Sequence, residues 1–209
     1  MNEPRTALLA AGDFPTHPVP RAALDAAAHV VCCDSAAAAL LAYGREPDAV
    51  VGDLDSLPPD LRHRLGGRVH AVAEQDDNDL AKAFRFALAQ GWRNLVILGA
   101  TGRREDHTLG NIAWLADFAA QADAVEMVTD YGVFRAYGPP VARFRTTPGM
   151  QVSIFGFDPA APVTGTGLKF PVQNLKLARW WTAALNAAIA DTVELRFAFG
   201  PLIVFTTHE

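Results

Sequence analysis

The sequence predicts an α/β N-terminal domain with a mostly parallel sheet, followed by a small all-β, sandwich-like C-terminal domain. Three observations carry this expectation. Short apolar runs alternate with helix-like patterns through residues 1–129, the rhythm of βαβ units. After about residue 130 helical periodicity fades, while Gly, Pro, Thr and aromatic residues rise. The chain has 209 residues, half of them hydrophobic, enough for a sizeable core. The domain boundaries are therefore expected at 1–129 and 130–209.

In order, residues 6–11 read as a buried strand ending at Gly12-Asp13. Residues 21–28 are Ala-rich and helix-prone. His29–Cys33 reads as a second strand, and Ala36–Tyr43 as a helix stopped by Gly44. Asp48–Val51 is a third strand; Pro58-Pro59 opens a short helix through Leu65. Val69–Ala73 is a fourth strand, and Asn78 or Asp79 starts a helix through Ala89. Leu95–Leu98, a helix over Leu109–Ala119 and a strand over Ala124–Thr129 complete the first domain. In the second, Phe144–Thr146, Gln151–Phe155, Val193–Phe197 and Leu202–Thr206 read as strands. Gly-Pro and Gly-Thr-Gly steps supply turns between them. Ligands bind outside the carboxyl ends of parallel strands, so Asp13, Asp34, Asp53 and Gly99 are expected along one edge.

Composition narrows the partners. A net charge of −5 with scattered Lys and Arg argues against nucleic acid. The N-terminus lacks a leader pattern, and no window approaches a spanning helix of roughly 20 apolar residues. The expectation is a soluble, cytoplasmic protein with no membrane partner. Cys32 and Cys33, the only cysteines, are adjacent and sit in an apolar run. They read as two buried thiols in a reducing compartment.

Three acidic stretches carry the chemistry. Gly52-Asp53-Leu54-Asp55-Ser56 places two carboxylates just past a strand, either as turn acids or as hard oxygen donors for Mg²⁺ against a polyphosphate. Gln75-Asp76-Asp77-Asn78-Asp79 precedes a helix containing Lys82. Its acids could satisfy the helix's positive end, but packing three together costs repulsion unless a cation offsets it. Lys82 is either a solvated lysine or a phosphate contact. Gly99-Ala100-Thr101-Gly102 offers backbone N–H groups to phosphate, and Arg103 and Arg104 add bidentate donors before Asp106-His107. In the second domain, Trp180-Trp181 reads as core or interface, or as a platform for a flat cationic ring. Asn186 is either a turn residue or a hydrogen-bond partner for a heteroaromatic amine.

The order and spacing of these motifs resemble the thiamine pyrophosphokinase family along nearly the whole chain. The resemblance rests on Pro47-Asp48 leading to Gly52–Ser56, on Gln75–Lys82 and on Gly99–Asn111. It continues through Gly149–Ser153, Gly167–Pro171 and Asn186. It implies an ATP-binding α/β catalytic domain and a β-sandwich that binds thiamine, with transfer of the pyrophosphoryl group of ATP to thiamine. It implies a homodimer with the thiamine site at the subunit interface. Asp53, Asp55 and Asp79 would hold Mg²⁺, and Asp76 and Arg104 would act with them in catalysis. Asp34, Gln75, Lys82, Thr101, Gly102, Arg103, Asp106, His107 and Asn111 would bind ATP. Gln75, Phe170, Trp180, Trp181 and Asn186 would shape the thiamine site. The chain departs from the family pattern at Ser35 and Ala38, where glycine and asparagine are usual, and at Leu185, where serine is usual.

Two other readings compete. Asp-Leu-Asp-Ser after an apolar run is similar to the nucleophile motif of haloacid dehalogenase phosphatases, with Asp53 phosphorylated and Asp55 the acid. That motif usually opens a first strand, whereas two strand–helix units precede it here. A nonenzymatic nucleotide or thiamine sensor would explain the departures, but not the retained acids.

Overall fold

The computed structural model describes residues 4–208. The chain divides into two compact units, Met1–Asp130 and Tyr131–Glu209.

In the first unit the strands are β1 (Thr6–Leu9), β2 (His29–Cys33), β3 (Ala49–Gly52), β4 (Val69–Ala71), β5 (Asn94–Leu98) and β6 (Ala124–Val128). They lie in the order β6-β5-β1-β2-β3-β4, and every pairing among them is parallel. The central strands are buried along their length, as parallel strands covered on both faces must be. The helices are α1 (Pro18–Ala26), α2 (Ala36–Tyr43), α3 (Pro59–Leu65), α4 (Asp79–Ala89) and α5 (Glu105–Ala119). α4 packs on β1, β2 and β3 through Leu80, Ala83, Phe84 and Ala87.

Sheet order locates the site. The chain runs from β1 through β2 and β3 to β4, then returns to place β5 on the other side of β1. The order reverses there, and the loops after the strands open a crevice at the carboxyl edge. Ala10, Gly12 and Asp13 donate their backbone N–H groups to Leu98, Gly99 and Thr101 at 2.8, 2.7 and 2.9 Å. The loops after β1 and β5 are thereby tied to each other.

Some boundaries differ from expectation. β1 stops at Leu9, and α5 starts at Glu105, one turn before the expected Leu109. Glu105 and Asp106 occupy that first turn, where negative charge meets the positive end of the helix.

The second unit holds two antiparallel sheets. One has the order β12 (Ala183–Ala187), β9 (Gln151–Gly156), β14 (Leu202–Thr207), β7 (Gly132–Tyr137). The other has the order β11 (Val172–Lys176), β10 (Pro162–Thr166), β13 (Thr192–Phe197), β8 (Val141–Arg145). Val152, Ile154 and Val204 of the first sheet share one apolar cluster with Phe144, Val163, Val193 and Leu195 of the second, making a sandwich. β8 alternates strictly between buried and exposed residues, and β13 alternates between buried residues and exposed or half-buried ones. β7, β10, β11 and β12 were not expected from sequence. β11 and β12 are poor in β-branched and aromatic residues, and β7 and β10 interrupt theirs with Gly, Pro, Arg or Ala, so tertiary pairing decides all four.

Candidate functional site

Five strand-end loops of the first unit meet around a cleft of about 430 Å³. Its lining includes Gly12 after β1, Asp34 after β2, Asp53 after β3, Gln75 before α4 and Asp79 at its start, and Arg104 after β5. Lys82, Gly102, Arg103, His107 and Asn111 also line it. Of the residues expected at the nucleotide and metal site, Asp55, Asp76, Thr101 and Asp106 lie outside this lining.

The acids converge, but with one exchange of partners. Carboxylate oxygens of Asp34, Asp53 and Asp79 all lie within 4.8 Å of one another. Asp34 takes the place in this group that the sequence reading gave to Asp55, whose residue is exposed. The local reason is backbone: Asp55 donates its N–H to Asp53 Oδ1 at 3.2 Å, so the loop curls and turns one carboxylate inward. Asp34 has a φ of 39°, an αL turn that aspartate tolerates better than most residues. Gly52 makes the group possible. A Cβ there would stand 3.1 Å from Asp34 Cβ and 3.3 Å from Asp79 Cγ.

Electrostatics separate the three acids. Asp34 is 4% exposed, and burial raises its pKa above the ordinary 3.8. A hydrogen bond from Ser56 N–H opposes this, while Asp79, Asp53 and Asp55 add repulsion that raises it further. Asp34 Oδ2 accepts from Ser56 N at 3.1 Å, but its buried Oδ1 has no hydrogen-bond partner. Asp53 shifts the other way. The Asp55 N–H, then the Gln75 side chain, then Lys82 favour its ionised form. Gln75 Nε2 donates to Asp53 Oδ2 at 3.4 Å. Lys82 is not a solvated lysine: its side chain is 2% exposed and its ammonium meets Asp79 Oδ1 at 3.2 Å. A cluster of hard oxygens with an orphaned buried carboxylate oxygen fits a divalent cation of the Mg²⁺ type.

The second acidic stretch is shared between two tasks. Asp77 lines the cleft but pairs with Arg85 of α4, which also holds Glu74. Arg85 thus relieves the crowding of Asp76, Asp77 and Asp79. Asp76 is exposed and outside the lining, so the structure does not place it for a catalytic contact in this cleft. Asn78 caps α4, its side chain accepting from Ala81 N at 3.1 Å.

In the third stretch, Gly102 has a φ of 81°, and the Asp13 carboxylate fills the space a Cβ would need. Arg103 donates to Ala11 O at 2.9 Å. Arg104 donates from Nε to Asp106 Oδ1 at 3.0 Å and from Nη2 to Oδ2. That bidentate contact holds the Asp106 pKa down at about 2. Asp106 therefore faces the arginine and not the cleft lining. Asn111 is buried, and both ends of its amide are engaged within the protein.

Sequence reasoning missed Asp77 and the spacing role of Gly52. Asp77 looked like one of three equivalent acids, and only the fold shows which one lies against Arg85. Cys33 also lines the cleft; both cysteines are free, and burial raises their pKa values well above the ordinary range. Repulsion from Asp48 adds to this for Cys32, and from Asp79 for Cys33.

In the second unit, Phe170, Trp180 and Trp181 are exposed, so the tryptophans are not core. They occupy the turn between β11 and β12, where Trp180 meets Phe155 edge-on and Arg179 lies over Trp181. Leu185 is 76% exposed, with a φ of 58° at a bulge between β12 and β9. Asn186 is 4% exposed and holds the Phe170 backbone. Among the described residues, no helix is long and apolar enough to cross a membrane.

Comparison with known proteins follows the same division. A family model described as thiamin pyrophosphokinase, catalytic domain, matches residues 21–128. A second, described as thiamin pyrophosphokinase, substrate-binding domain, matches residues 132–205. The chain is 28% identical over 183 residues to a thiamine pyrophosphokinase of Bacillus subtilis, covering 84% of this chain and 86% of that one. Its fold is similar to the crystal structure of thiamine pyrophosphokinase from Bacillus subtilis, with a TM-score of 0.80, 24% identity and coverage of 98% and 99%. It is also similar to thiamin pyrophosphokinase from Candida albicans, with a TM-score of 0.80, 17% identity and coverage of 99% and 90%.

Proposed function

This chain belongs to the thiamin pyrophosphokinase family, and from that premise we propose that it transfers the pyrophosphoryl group of ATP to thiamine, giving thiamine diphosphate and AMP. The observation that carries the reading is the meeting of Asp34, Asp53 and Asp79 in one cleft with Lys82, Arg103 and Arg104. Neither the phosphohydrolase nor the sensor reading gains support from the comparisons.

Phosphoryl centres are shielded by negative oxygens, so catalysis is mostly positioning and charge neutralisation. Asp34, Asp53 and Asp79 would hold Mg²⁺. Bound there, the ion would supply positive charge to the triphosphate. Arg103 and Arg104 would meet phosphate oxygens, Arg104 by exchanging Asp106 for the substrate. The thiamine hydroxyl oxygen would attack the β-phosphorus as its proton passes to solvent water, and the bond from that phosphorus to the bridging oxygen of AMP would break, the electron pair leaving with AMP. Lys82 would hold Asp79 in place from the protein side through its ammonium contact at 3.2 Å. Thiamine would contact Gln75 together with Phe170, Trp180 or Trp181, whose exposed rings suit a flat cation. A homodimer with thiamine at the subunit interface, in the cytoplasm, completes the proposal. The two buried free thiols support a reducing location.

The deciding experiment incubates the protein with ATP, thiamine and Mg²⁺ and separates the products. AMP and thiamine diphosphate in equal amounts are expected. Free phosphate and ADP, or tight binding of both substrates without product, would overturn the assignment.

A further inference from the structure

Asn111 lines the cleft yet is only 7% exposed. Its Nδ2 donates to Ala100 O at 2.8 Å, in the loop after β5. Its Oδ1 accepts from Asn78 Nδ2 at 2.9 Å. Asn78 in turn accepts at Oδ1 from Ala81 N, capping α4. The direction of this relay is set by its ends. Ala100 O can only accept, which fixes the amide of Asn111; Ala81 N–H can only donate, which fixes the amide of Asn78. A carboxylate or a hydroxyl at position 111 could not supply both an N–H to Ala100 and an oxygen to Asn78 in the same geometry.

Each end of the relay touches a segment that carries chemistry. α4 begins with Asp79 of the acid cluster and has Lys82 one turn in. The loop after β5 carries Arg103 and Arg104. No backbone hydrogen bond among the described residues joins these two segments directly. The Asn78–Asn111 contact does.

We propose that Asn111 is a positioning residue for pyrophosphoryl transfer, setting the acid-bearing start of α4 against the arginine loop through Asn78, and that it does not itself bind nucleotide. This rests on the transfer reaction proposed above. It departs from the expectation that Asn111 contacts ATP, since its acceptor oxygen and one donor are already used inside the protein.

The test compares wild type, Asn111→Ala, Asn78→Ser and the double variant by steady-state kinetics and thermal unfolding. Serine at 78 retains a capping oxygen for α4 but is too short to reach Asn111. For both single variants kcat is expected to fall by about 10- to 100-fold, the scale of a small misplacement of reacting groups. KM for ATP is expected to stay within about threefold, because no ground-state contact is lost. The double variant is expected to be no worse than the more damaged single, since both singles remove the shared Asn78–Asn111 contact and Asn111→Ala already removes the one to Ala100. A rise of about tenfold or more in KM for ATP with kcat retained would overturn the proposal in favour of a direct nucleotide contact. So would losses that multiply in the double variant, or a kcat unchanged from wild type. If Asn111→Ala does not fold, Asn78→Ser decides on the same kinetic criteria. An inactive wild type overturns the transfer reaction and the relay's role with it; an active wild type with an unaffected Asn78→Ser overturns the relay alone.

Discussion

Asn186 grips the backbone of Phe170 from both sides: its Oδ1 accepts from Phe170 N at 3.0 Å, and its Nδ2 donates to Phe170 O at 2.9 Å. The same Oδ1 accepts from Ala187 N at 2.8 Å. Asn186 is 4% exposed while Phe170 is 56% exposed, so the buried amide anchors an exposed ring. Asn186→Ala is expected to remove these bonds from part-buried backbone groups of Phe170 and Ala187 and cost about 1 kcal/mol of stability. KM for thiamine is expected to rise about tenfold while KM for ATP holds, a loss of about 1.4 kcal/mol in binding one substrate. Varying each substrate separately checks this, and equal changes in both constants would refute it.

Gly52 is the spacer of the acid cluster. Gly52→Ala would put a methyl group 3.1 Å from Asp34 Cβ and 3.3 Å from Asp79 Cγ. Overpacking of this kind costs about 1–3 kcal/mol, and the carboxylates have to part to relieve it. Turnover is expected to fall at least about tenfold, with more Mg²⁺ needed for half-maximal rate. A Mg²⁺ titration that superimposes on wild type would contradict this.

Asp79→Ala is expected to lower activity by at least about 100-fold, the scale of removing a group that organises transition-state charge. It also strands a buried ammonium, because Lys82 loses its partner at 3.2 Å. The unfolding midpoint is therefore expected to drop with activity. Asp79→Ala combined with Lys82→Met should restore the midpoint and leave activity low. A double variant as unstable as Asp79→Ala would show that the ion pair is not the cause.

Asp34 gives a pH dependence with a definite sign. Burial, with help from neighbouring acids, raises its folded pKa above the unfolded 3.8. Its contribution is then fully present below 3.8 and is lost as pH rises through the folded value. Above that value the ionised Asp34 weighs against folding in the absence of a cation. Asp34→Asn is expected to raise the unfolding midpoint at pH 7, to match wild type near pH 3, and to abolish stabilisation by added Mg²⁺. Melting curves across that range decide it, and a variant less stable than wild type at pH 7 would refute the assignment.

Much of the first unit was readable in the chain because its signals are local. His29–Cys33 and Ala36–Tyr43 are bounded as their residues suggest, with Gly44 in the left-handed conformation that ends α2. Asn78 caps α4 as its side chain allows. The second unit was less readable. β11 and β12 hold few β-branched residues, and Gly165-Thr166, expected as a turn, closes β10. The site was half legible: the acidic stretches announced carboxylates, but not which ones would meet.

The sequence by itself determined the βαβ rhythm, the family and the places where acids follow strands, because capping, periodicity and short motifs depend on neighbours in the chain. Tertiary structure alone decided that Asp34 joins Asp53 and Asp79 while Asp55 stays exposed and outside the cleft lining. It alone gave Asp77 to Arg85 and the amide of Asn111 to Asn78. The acid cluster and the Asn78–Asn111 contact rest on parallel register and on the reversal of strand order beside β1, which bring residues far apart in sequence together; Asp77 meets Arg85 where the chain turns into α4. A few ångströms separate a ligand from a bystander, and no local pattern encodes distances of that size.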